Sequence, residues 1–248
     1  MKALILAAGL GTRMMPLTAN VPKALLLLNG STLLEIVIRK LAREGFRDII
    51  INVHHHAGQV REFLKQFHLH GVNISISDES ELLLDTGGAI RKASWFLDGS
   101  DPFLVHNVDV ISDIDLRALL DDHIRHRRLA TLSVIDRESR RYFLFDEELR
   151  LKGWMNTVTG EIRWAGSPIP HTNPLAFSGI HIIDPGIFRL MNEGGRFSII
   201  DTYLKLAVTE NIAGYRQDGM TWFDMGKPEQ FEKMPAFLKD HPEYLPGS

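Results

Sequence analysis

A glycine-rich turn and two cations near the amino terminus have the chemistry to bind an anion. Residues 3–8 are an apolar run, which predicts a buried strand, and the stretch 9–13 (GLGTR) follows it. Glycines after a strand permit a sharp turn that presents backbone N–H groups to an anion. Arg13 adds a planar guanidinium suited to phosphate oxygens, and Lys23 adds a second cation. Together these features predict a polyphosphate site, although a Gly-x-Gly after a strand can also be a simple tight turn.

Two aspartates further along the chain are candidates for binding a metal ion. Asp109 closes an apolar stretch that begins at Phe103, and Asp224 lies between Trp222 and Gly226. A carboxylate at the carboxyl end of a parallel strand lies where α/β sheets bind their ligands. Either aspartate could instead cap a helix or form a turn. As a pair, they would offer two hard oxygen ligands to Mg²⁺ bound to a triphosphate.

Composition restricts the class of protein. A chain of 248 residues that is 44% hydrophobic can bury the core of one α/β domain. The net charge of −3 argues against a nucleic-acid-binding surface, and the lack of cysteine excludes disulfides and thiolate metal sites. The apolar run at the start is too short for a signal peptide, and no apolar stretch approaches the roughly 20 residues of a membrane span. We therefore expect a soluble cytoplasmic protein with no membrane partner.

Helical and strand patterns alternate through the first half of the chain. This alternation predicts an α/β fold, with a Rossmann-like mixed, mostly parallel sheet and helices on both faces. The predicted strands cover 48–53, 72–76, 102–108 and 130–135, and the predicted helices cover 33–41, 58–68, 89–97 and 115–127.

The second half of the chain is less regular. Antiparallel ribbons are predicted first, then a proline-containing loop and a mixture of strands and helices that ends with a closing helix. The ribbons cover 142–145 and 149–154, the loop 162–172, the strands 176–183, 212–217 and 221–223, and the helices 185–191, 199–210 and 228–238. We expect one domain over 1–241 and a loose tail over 242–248.

The first 23 residues carry a pattern more specific than two glycines. It combines glycines, cations and prolines at fixed spacing, Gly9-x-Gly11-Thr12-Arg13-x-x-Pro16-Leu17-Thr18 and then Pro22-Lys23. The pattern resembles the opening of the sugar-phosphate nucleotidyltransferases, also called nucleotide-sugar pyrophosphorylases. These enzymes join an NTP to a sugar 1-phosphate and release pyrophosphate. The resemblance implies their fold, the nucleotide-diphospho-sugar transferase type, and it implies an NTP and a sugar 1-phosphate as partners.

The resemblance also implies roles for individual residues. Arg13, Lys23 and Asp109 would be catalytic, and Asp109 and Asp224 would hold Mg²⁺. Gly179, within a strand, would face the sugar, and Asn156 is a further candidate for contact with the sugar. The nucleotide-binding set implied by the resemblance is Ala7, Ala8, Gly9, Gly11, Thr12, Arg13, Lys23, Gly87 and Gly88.

The segment 84–89 (LDTGGA) precedes a predicted helix. Asp85 or Thr86 could cap that helix, while Gly87 and Gly88 could let a flat ring approach the backbone. The segment resembles the nucleobase-binding loop in the branch that contains N-acetylmuramate 1-phosphate uridylyltransferases and short mannose-1-phosphate guanylyltransferases.

The chain departs from the family pattern in several places. Many members have a Glu-Lys-Pro lysine near the sugar phosphate, and Lys152 does not align with it; many also have glycine where Val108 precedes Asp109. The chain has no hexapeptide repeats for a β-helix domain. The histidines 54–56 would alternate sides on an extended segment and therefore cannot all bind one ion, although Asn52 or His54 could line the site.

Other classes of protein remain open from the sequence alone. A non-catalytic relative that binds nucleotide sugars is one alternative, and a cytidylyltransferase acting on phosphocholine is another. A Rossmann dehydrogenase is disfavoured because Met14 replaces the third glycine of its loop. The resemblance is most consistent with transfer of a uridylyl or guanylyl group to the 1-phosphate of MurNAc, mannose or a similar sugar. We expect the protein to be a monomer or a homodimer.

Overall fold

A computed structural model describes residues 1–245. Within them, the strands are β1 (Lys2–Leu6), β2 (Leu27–Leu28), β3 (Ser31–Thr32), β4 (Asp48–Val53), β5 (Asn73–Asp78), β6 (Phe103–Asn107), β7 (Val110–Ser112), β8 (Ala130–Ile135), β9 (Arg141–Phe145), β10 (Leu151–Asn156), β11 (Ile162–Trp164), β12 (Asn173–Ile183), β13 (Ile212–Arg216) and β14 (Trp222–Asp224).

The α-helices in the same part of the chain are α1 (Leu33–Arg43), α2 (Ala57–Gln66), α3 (Asp85–Lys92), α4 (Ser94–Leu97), α5 (Leu116–His126), α6 (Ile187–Leu190), α7 (Ile199–Leu206), α8 (Pro228–Phe231) and α9 (Met234–Asp240). Short 3-10 helices cover Thr12–Met14, Lys23–Leu25 and Pro242–Tyr244.

The residues divide into two compact units. The first comprises Met1–Leu83, His106–Asp113 and the described residues from Thr221 onward, and the second comprises Leu84–Val105 and Ile114–Met220. The predicted single domain over 1–241 stays a prediction.

A parallel sheet of β1, β4 and β5 is the core of the first unit. Leu4 lies opposite Ile50, and Ile50 lies opposite Ser75. Leu4 and Ile50 are fully buried, as expected for a parallel sheet that is covered on both faces. Helix α1 is capped by Thr32, whose hydroxyl accepts a hydrogen bond from the backbone N–H of Glu35, 3.1 Å away.

A mixed sheet is the core of the second unit. Strand β8 pairs in parallel with β13 and antiparallel with β12, and an antiparallel ribbon of β9, β10 and β11 continues from β12. Helix α5 begins after Asp115, whose carboxylate accepts a hydrogen bond from the N–H of Ala118 at 2.8 Å. The predicted fold class, a mixed and mostly parallel sheet with helices, is confirmed.

Several predicted segments of the second unit differ from the structure, among them the helix 89–97, which is divided into α3 and α4. The predicted loop 162–172 begins with strand β11, in which Arg163 lies opposite Trp154 and its guanidinium stacks over the indole at 4.2 Å. The cation–π contact stabilises this third strand of the ribbon. The two prolines of the segment had led to the prediction of a loop. The predicted helix 199–210 ends earlier, at Leu206.

The loose tail over 242–248 stays a prediction, and the structure describes its first four residues. Pro242–Tyr244 form a 3-10 helix, and the side chain of Tyr244 is buried. The hydroxyl of Tyr244 lies 3.4 Å from Nζ of the buried Lys40 on α1. Residues 246–248 lie outside the described residues.

No helix within residues 1–245 combines the length and the apolar character needed to cross a membrane.

Candidate active site

The glycine-rich turn after β1 is ordered by its own hydrogen bonds. Gly11 has a φ of +66°, in the left-handed region that favours glycine, and its carbonyl accepts hydrogen bonds from the Thr18 hydroxyl and the Met14 N–H, both at 2.8 Å. A Cβ on Gly11 would lie 3.0 Å from Cγ2 of Thr18, whereas one on Gly9 would meet nothing within 4 Å. The backbone at Gly9 is therefore open to an incoming ligand, while Gly11 sets the turn.

The first cation–carboxylate pair joins Lys23 to Asp109. Lys23 begins a short 3-10 helix after Pro22, and its Nζ donates a hydrogen bond to Oδ2 of Asp109. Only 11% of the lysine side chain and 16% of the aspartate side chain are exposed. Because both groups are mostly shielded from solvent, salt screens this pair less than it would a surface pair.

The second pair joins Arg13 to Asp224. Nη1 of Arg13 lies 3.5 Å from Oδ2 of Asp224, and Oδ1 of Asp224 accepts a hydrogen bond from the N–H of Gly226 at 2.9 Å. The Arg13 side chain is 63% exposed. It can therefore turn toward a ligand at low cost, while the backbone of the Asp-Met-Gly turn holds the carboxylate.

The two aspartates lie beside one pair of strands, since Asp109 directly precedes β7 and Asp224 ends β14. In the antiparallel β7–β14 pair, Asp224 lies opposite Val110, the residue after Asp109. The N–H of Met225 also donates to the carbonyl of Asp109 at 2.8 Å. The structure thus brings Arg13, Lys23, Asp109 and Asp224 together within the first unit.

This donor set suits a divalent metal that is also bound by its substrate. Hard cations prefer carboxylate oxygens, and hydrogen bonds from backbone N–H groups hold Asp109 and Asp224 beside the β7–β14 pair. Among the described residues, no three or more His, Asp or Glu side chains form a group that could hold a metal by themselves. A cation at this pair would therefore need substrate oxygens and water to complete its coordination.

The histidines at the end of β4 have structural contacts. Nδ1 of His54 lies 2.6 Å from the backbone carbonyl of Glu79, and His56 precedes helix α2 with a left-handed φ of +54°. Nearer to Asp109, burial lowers the pKa of His106 to about 3, so its imidazole is neutral at pH 7. The strand leading to Asp109 therefore adds no cation to the site.

Gly226 is required by the contact between Arg13 and Asp224. A Cβ at this position would lie 2.6 Å from Nη2 of Arg13 and 2.8 Å from Oδ1 of Asp224. The sequence showed Gly226 only as the end of a turn, and its closeness to the guanidinium was missed because the contact spans most of the chain.

Gly226→Ala is expected to push the Arg13 guanidinium away and to raise KM for the NTP by about tenfold, the effect of losing one charge-assisted contact. The control is Gly58→Ala in helix α2, where an added Cβ meets nothing within 4 Å. Steady-state kinetics on both proteins checks the prediction, and equal KM values in the two variants would contradict it.

Gly87 and Gly88, expected to bind nucleotide, lie within helix α3 of the second unit. A Cβ at Gly87 would lie 2.4 Å from Cε2 of Phe197, and one at Gly88 would lie 2.4 Å from the carbonyl oxygen of Gly195. Close packing of helix against loop therefore requires both glycines. At the start of the helix, Oδ1 of Asp85 accepts the N–H of Thr86 at 2.6 Å, whereas the Thr86 hydroxyl accepts the N–H of Ile199 at 3.0 Å. Nucleotide contact by the glycines stays a prediction.

The residues expected near the sugar also have local structural roles. Gly179 has a φ of +85° where β12 shifts its register against β8, at an irregularity in the strand pairing. Oδ1 of Asn156 accepts the N–H of Val158 at 3.0 Å in the turn after β10. Lys152 forms an ion pair with Asp146 at 3.2 Å. Sugar contacts by Gly179 and Asn156 stay predictions.

Comparison with known proteins identifies the class. A family model described as nucleotidyl transferase matches residues 2–145, which include the glycine-rich turn, Lys23 and Asp109. The chain belongs to this family.

Individual relatives cover almost the whole chain. The N-acetylmuramate alpha-1-phosphate uridylyltransferase of Neisseria meningitidis serogroup B is 34% identical over 234 residues, which are 91% of this chain and 93% of that protein. The mannose-1-phosphate guanyltransferase of Yarrowia lipolytica is 30% identical over 255 residues, 99% of this chain and 67% of that protein.

A solved structure shares the fold. A UDP-glucose pyrophosphorylase from Acinetobacter baumanii superposes with a TM-score of 0.80 over 97% of this chain and 94% of its own, at 18% identity. At that identity the likeness shows the fold alone.

Proposed function

We propose that the protein is a sugar-1-phosphate nucleotidyltransferase that joins an NTP to a sugar 1-phosphate and releases pyrophosphate. One observation carries the proposal: two cation–carboxylate pairs, Lys23–Asp109 and Arg13–Asp224, lie in the same unit as the open glycine-rich turn, with both aspartates beside the paired strands β7 and β14. Anion-binding backbone, phosphate-binding cations and metal-binding carboxylates are the parts that phosphoryl transfer requires.

The attacking group in this reaction is an oxygen of the sugar 1-phosphate, which is already anionic at neutral pH. It forms a new bond to the α-phosphorus of the NTP, and the bond from that phosphorus to the β-phosphate oxygen breaks. The electron pair leaves with pyrophosphate, so neither a general base nor a covalent enzyme intermediate is needed. The protein has to align the two substrates in line and stabilise their charge.

Each site residue has a task in this alignment. Backbone N–H groups of residues 9–12 would bind the phosphates of the NTP, and Arg13 would bind the β- and γ-phosphates that leave. Lys23 would neutralise charge on the α-phosphate and on the incoming phosphate. Asp109 and Asp224 would hold Mg²⁺, which supplies positive charge to the phosphate oxygens when bound.

The sequence relatives support two substrate pairs above others. Their names point to uridylyl transfer to N-acetylmuramate 1-phosphate and to guanylyl transfer to mannose 1-phosphate. We propose that Gly87 and Gly88 contact the nucleotide and that Gly179 and Asn156 contact the sugar.

A pyrophosphate-release screen tests the proposed function. Purified protein with Mg²⁺ is given ATP, CTP, GTP, UTP or dTTP with each of MurNAc, GlcNAc, glucose, mannose and heptose 1-phosphates, and with phosphocholine as an outlier. We expect strong release for one sugar pair and background release from the Asp109→Asn variant. Silence across the screen, with nucleotide sugars still binding in calorimetry, would replace the proposal with a nucleotide-sugar-binding regulatory protein.

A further inference from the structure

A buried hydrogen-bond network joins the ends of the three parallel strands of the first unit. The side-chain amide of Asn52, at the end of β4, donates from Nδ2 to Oε1 of Glu79 at 2.8 Å. Oδ1 of Asn52 accepts the backbone N–H of Ala7, just past β1, at 2.6 Å. Asn52 and Glu79 are only 3% and 1% exposed. The network therefore reaches the start of the glycine-rich turn from inside the protein.

Glu79 is held firmly in this position. Its N–H donates to the carbonyl of Val53 at 2.7 Å, and its own carbonyl contacts Nδ1 of His54 at 2.6 Å. Burying a carboxylate costs free energy, and well-packed apolar side chains would stabilise a core at least as well. A role in stability alone therefore does not explain a glutamate at this place.

The carboxylate can impose one orientation on the Asn52 amide. An ionised carboxylate only accepts hydrogen bonds, so Asn52 has to turn its NH₂ toward Glu79 and its oxygen toward Ala7. If the Asn52 amide were flipped, its oxygen would face the Glu79 carboxylate, which also only accepts. Its NH₂ would face the backbone N–H of Ala7, so two donors would meet there. Glu79 thus fixes the acceptor that holds the Ala7 N–H, two residues before Gly9.

We infer that Asn52 and Glu79 are positioning residues, which act through the Ala7 N–H to hold the glycine-rich turn in its phosphate-binding conformation. This inference rests on the proposed function. Phosphate binding by backbone N–H groups depends on their direction, and a misplacement of about 1 Å can cost about a hundredfold in rate. The network would hold that direction before the nucleotide binds.

A polarity swap separates positioning from simple packing. Asn52→Asp places two carboxylates together, whereas the double variant Asn52→Asp/Glu79→Gln restores a donor, because the glutamine amide can donate to the aspartate. The double variant also keeps the single negative charge of the native pair. We expect Asn52→Asp to lower kcat/KM for the NTP by about tenfold to a hundredfold. The double variant should recover to within about threefold of the native protein.

The control is an exposed asparagine–carboxylate pair at the other end of the same strands. Nδ2 of Asn73 donates to Oδ1 of Asp48 at 2.8 Å, and these two residues are paired in the β4–β5 register. Asn73→Asp therefore also places two carboxylates together, but far along the strands from Ala7. We expect it to leave kcat/KM unchanged.

Each protein is assayed with UTP plus N-acetylmuramate 1-phosphate and with GTP plus mannose 1-phosphate, and hydrogen exchange is measured on the peptide covering residues 3–14. We expect faster exchange in that peptide for Asn52→Asp and native exchange for the double variant. An active native enzyme with an equally active Asn52→Asp variant would overturn the inference, as would a double variant no better than the single one. If Asn52→Asp does not fold, a folded double variant with native activity supports the inference and an inactive one overturns it.

The exchange readout separates failure of this inference from failure of the proposed function. If the native protein releases no pyrophosphate, the proposed function fails. Hydrogen exchange that rises in Asn52→Asp and returns in the double variant would still support positioning of the turn, and unchanged exchange would overturn it.

Discussion

Replacing Asp109 with asparagine is expected to lower kcat by about a hundredfold to a thousandfold, the range for removing a group that stabilises charge in the transition state. Asparagine keeps the size of the side chain but loses its charge. The variant leaves the mostly buried Lys23 without its carboxylate and removes one of the two candidate metal ligands. The carbonyl of residue 109 still accepts the Met225 N–H, so the β7–β14 pair should be preserved.

Asp113→Asn is the matched control for this variant. Asp113 lies four residues further on, and its Oδ1 accepts the N–H of Thr221 at 2.7 Å, a bond that an asparagine oxygen can also accept. Steady-state kinetics at increasing Mg²⁺ should show that Asp109→Asn needs more metal, while Asp113→Asn behaves as the native protein. A kcat for Asp109→Asn within about threefold of the native value would remove Asp109 from the catalytic set.

Lys23→Ala is the second variant with a large expected effect, a loss in kcat of about a hundredfold. The variant removes a cation of which only 11% of the side chain is exposed, and it leaves the Asp109 carboxylate without its partner beside an incoming phosphate. Repulsion between these anions adds to the loss of the cation. Lys65→Ala, which changes a lysine that is 73% exposed in the same unit, is the control and should retain native turnover.

The double variant Asp109→Asn/Lys23→Ala tests whether the two side chains act as a unit. Groups in direct contact give effects that do not add, so the double variant should lose much less than the product of the two single losses. Near-native turnover in Lys23→Ala alone would contradict the role assigned to this lysine.

The sequence predicted the parts of the site that depend on local pattern. An apolar run followed by glycines predicted the strand and turn around Gly11, and strand-ending aspartates predicted a pair at Asp109 and Asp224. These signals work because strand ends, turns and glycines leave short-range traces in the sequence.

Contacts between residues that are far apart in the sequence have no such short-range pattern. The Lys23–Asp109 bond spans 86 positions and the Arg13–Asp224 bond spans 211, so the sequence could nominate the residues but could not pair them. The hydrogen bond between Asn52 and Glu79 was not predicted, for the same reason.

Packing contacts between distant segments can also decide which residue type a position needs. At some of these positions, the sequence pattern alone indicates a functional role instead. Gly88 is needed because the carbonyl of Gly195 lies against helix α3, and Tyr244 packs beside Lys40, about two hundred positions earlier in the chain. Neither contact follows from composition or spacing, because each depends on where the chain returns in the folded protein.

Oxygen labelling tests the proposed reaction most directly. The substrate pair that gives release in the screen is prepared with ¹⁸O in the phosphate of the sugar 1-phosphate, and both products are analysed by mass spectrometry. Attack of that phosphate on the α-phosphorus predicts that the NDP-sugar carries the whole label and that pyrophosphate carries none. Label in pyrophosphate, or pyrophosphate released without a labelled NDP-sugar, would contradict nucleotidyl transfer at this site.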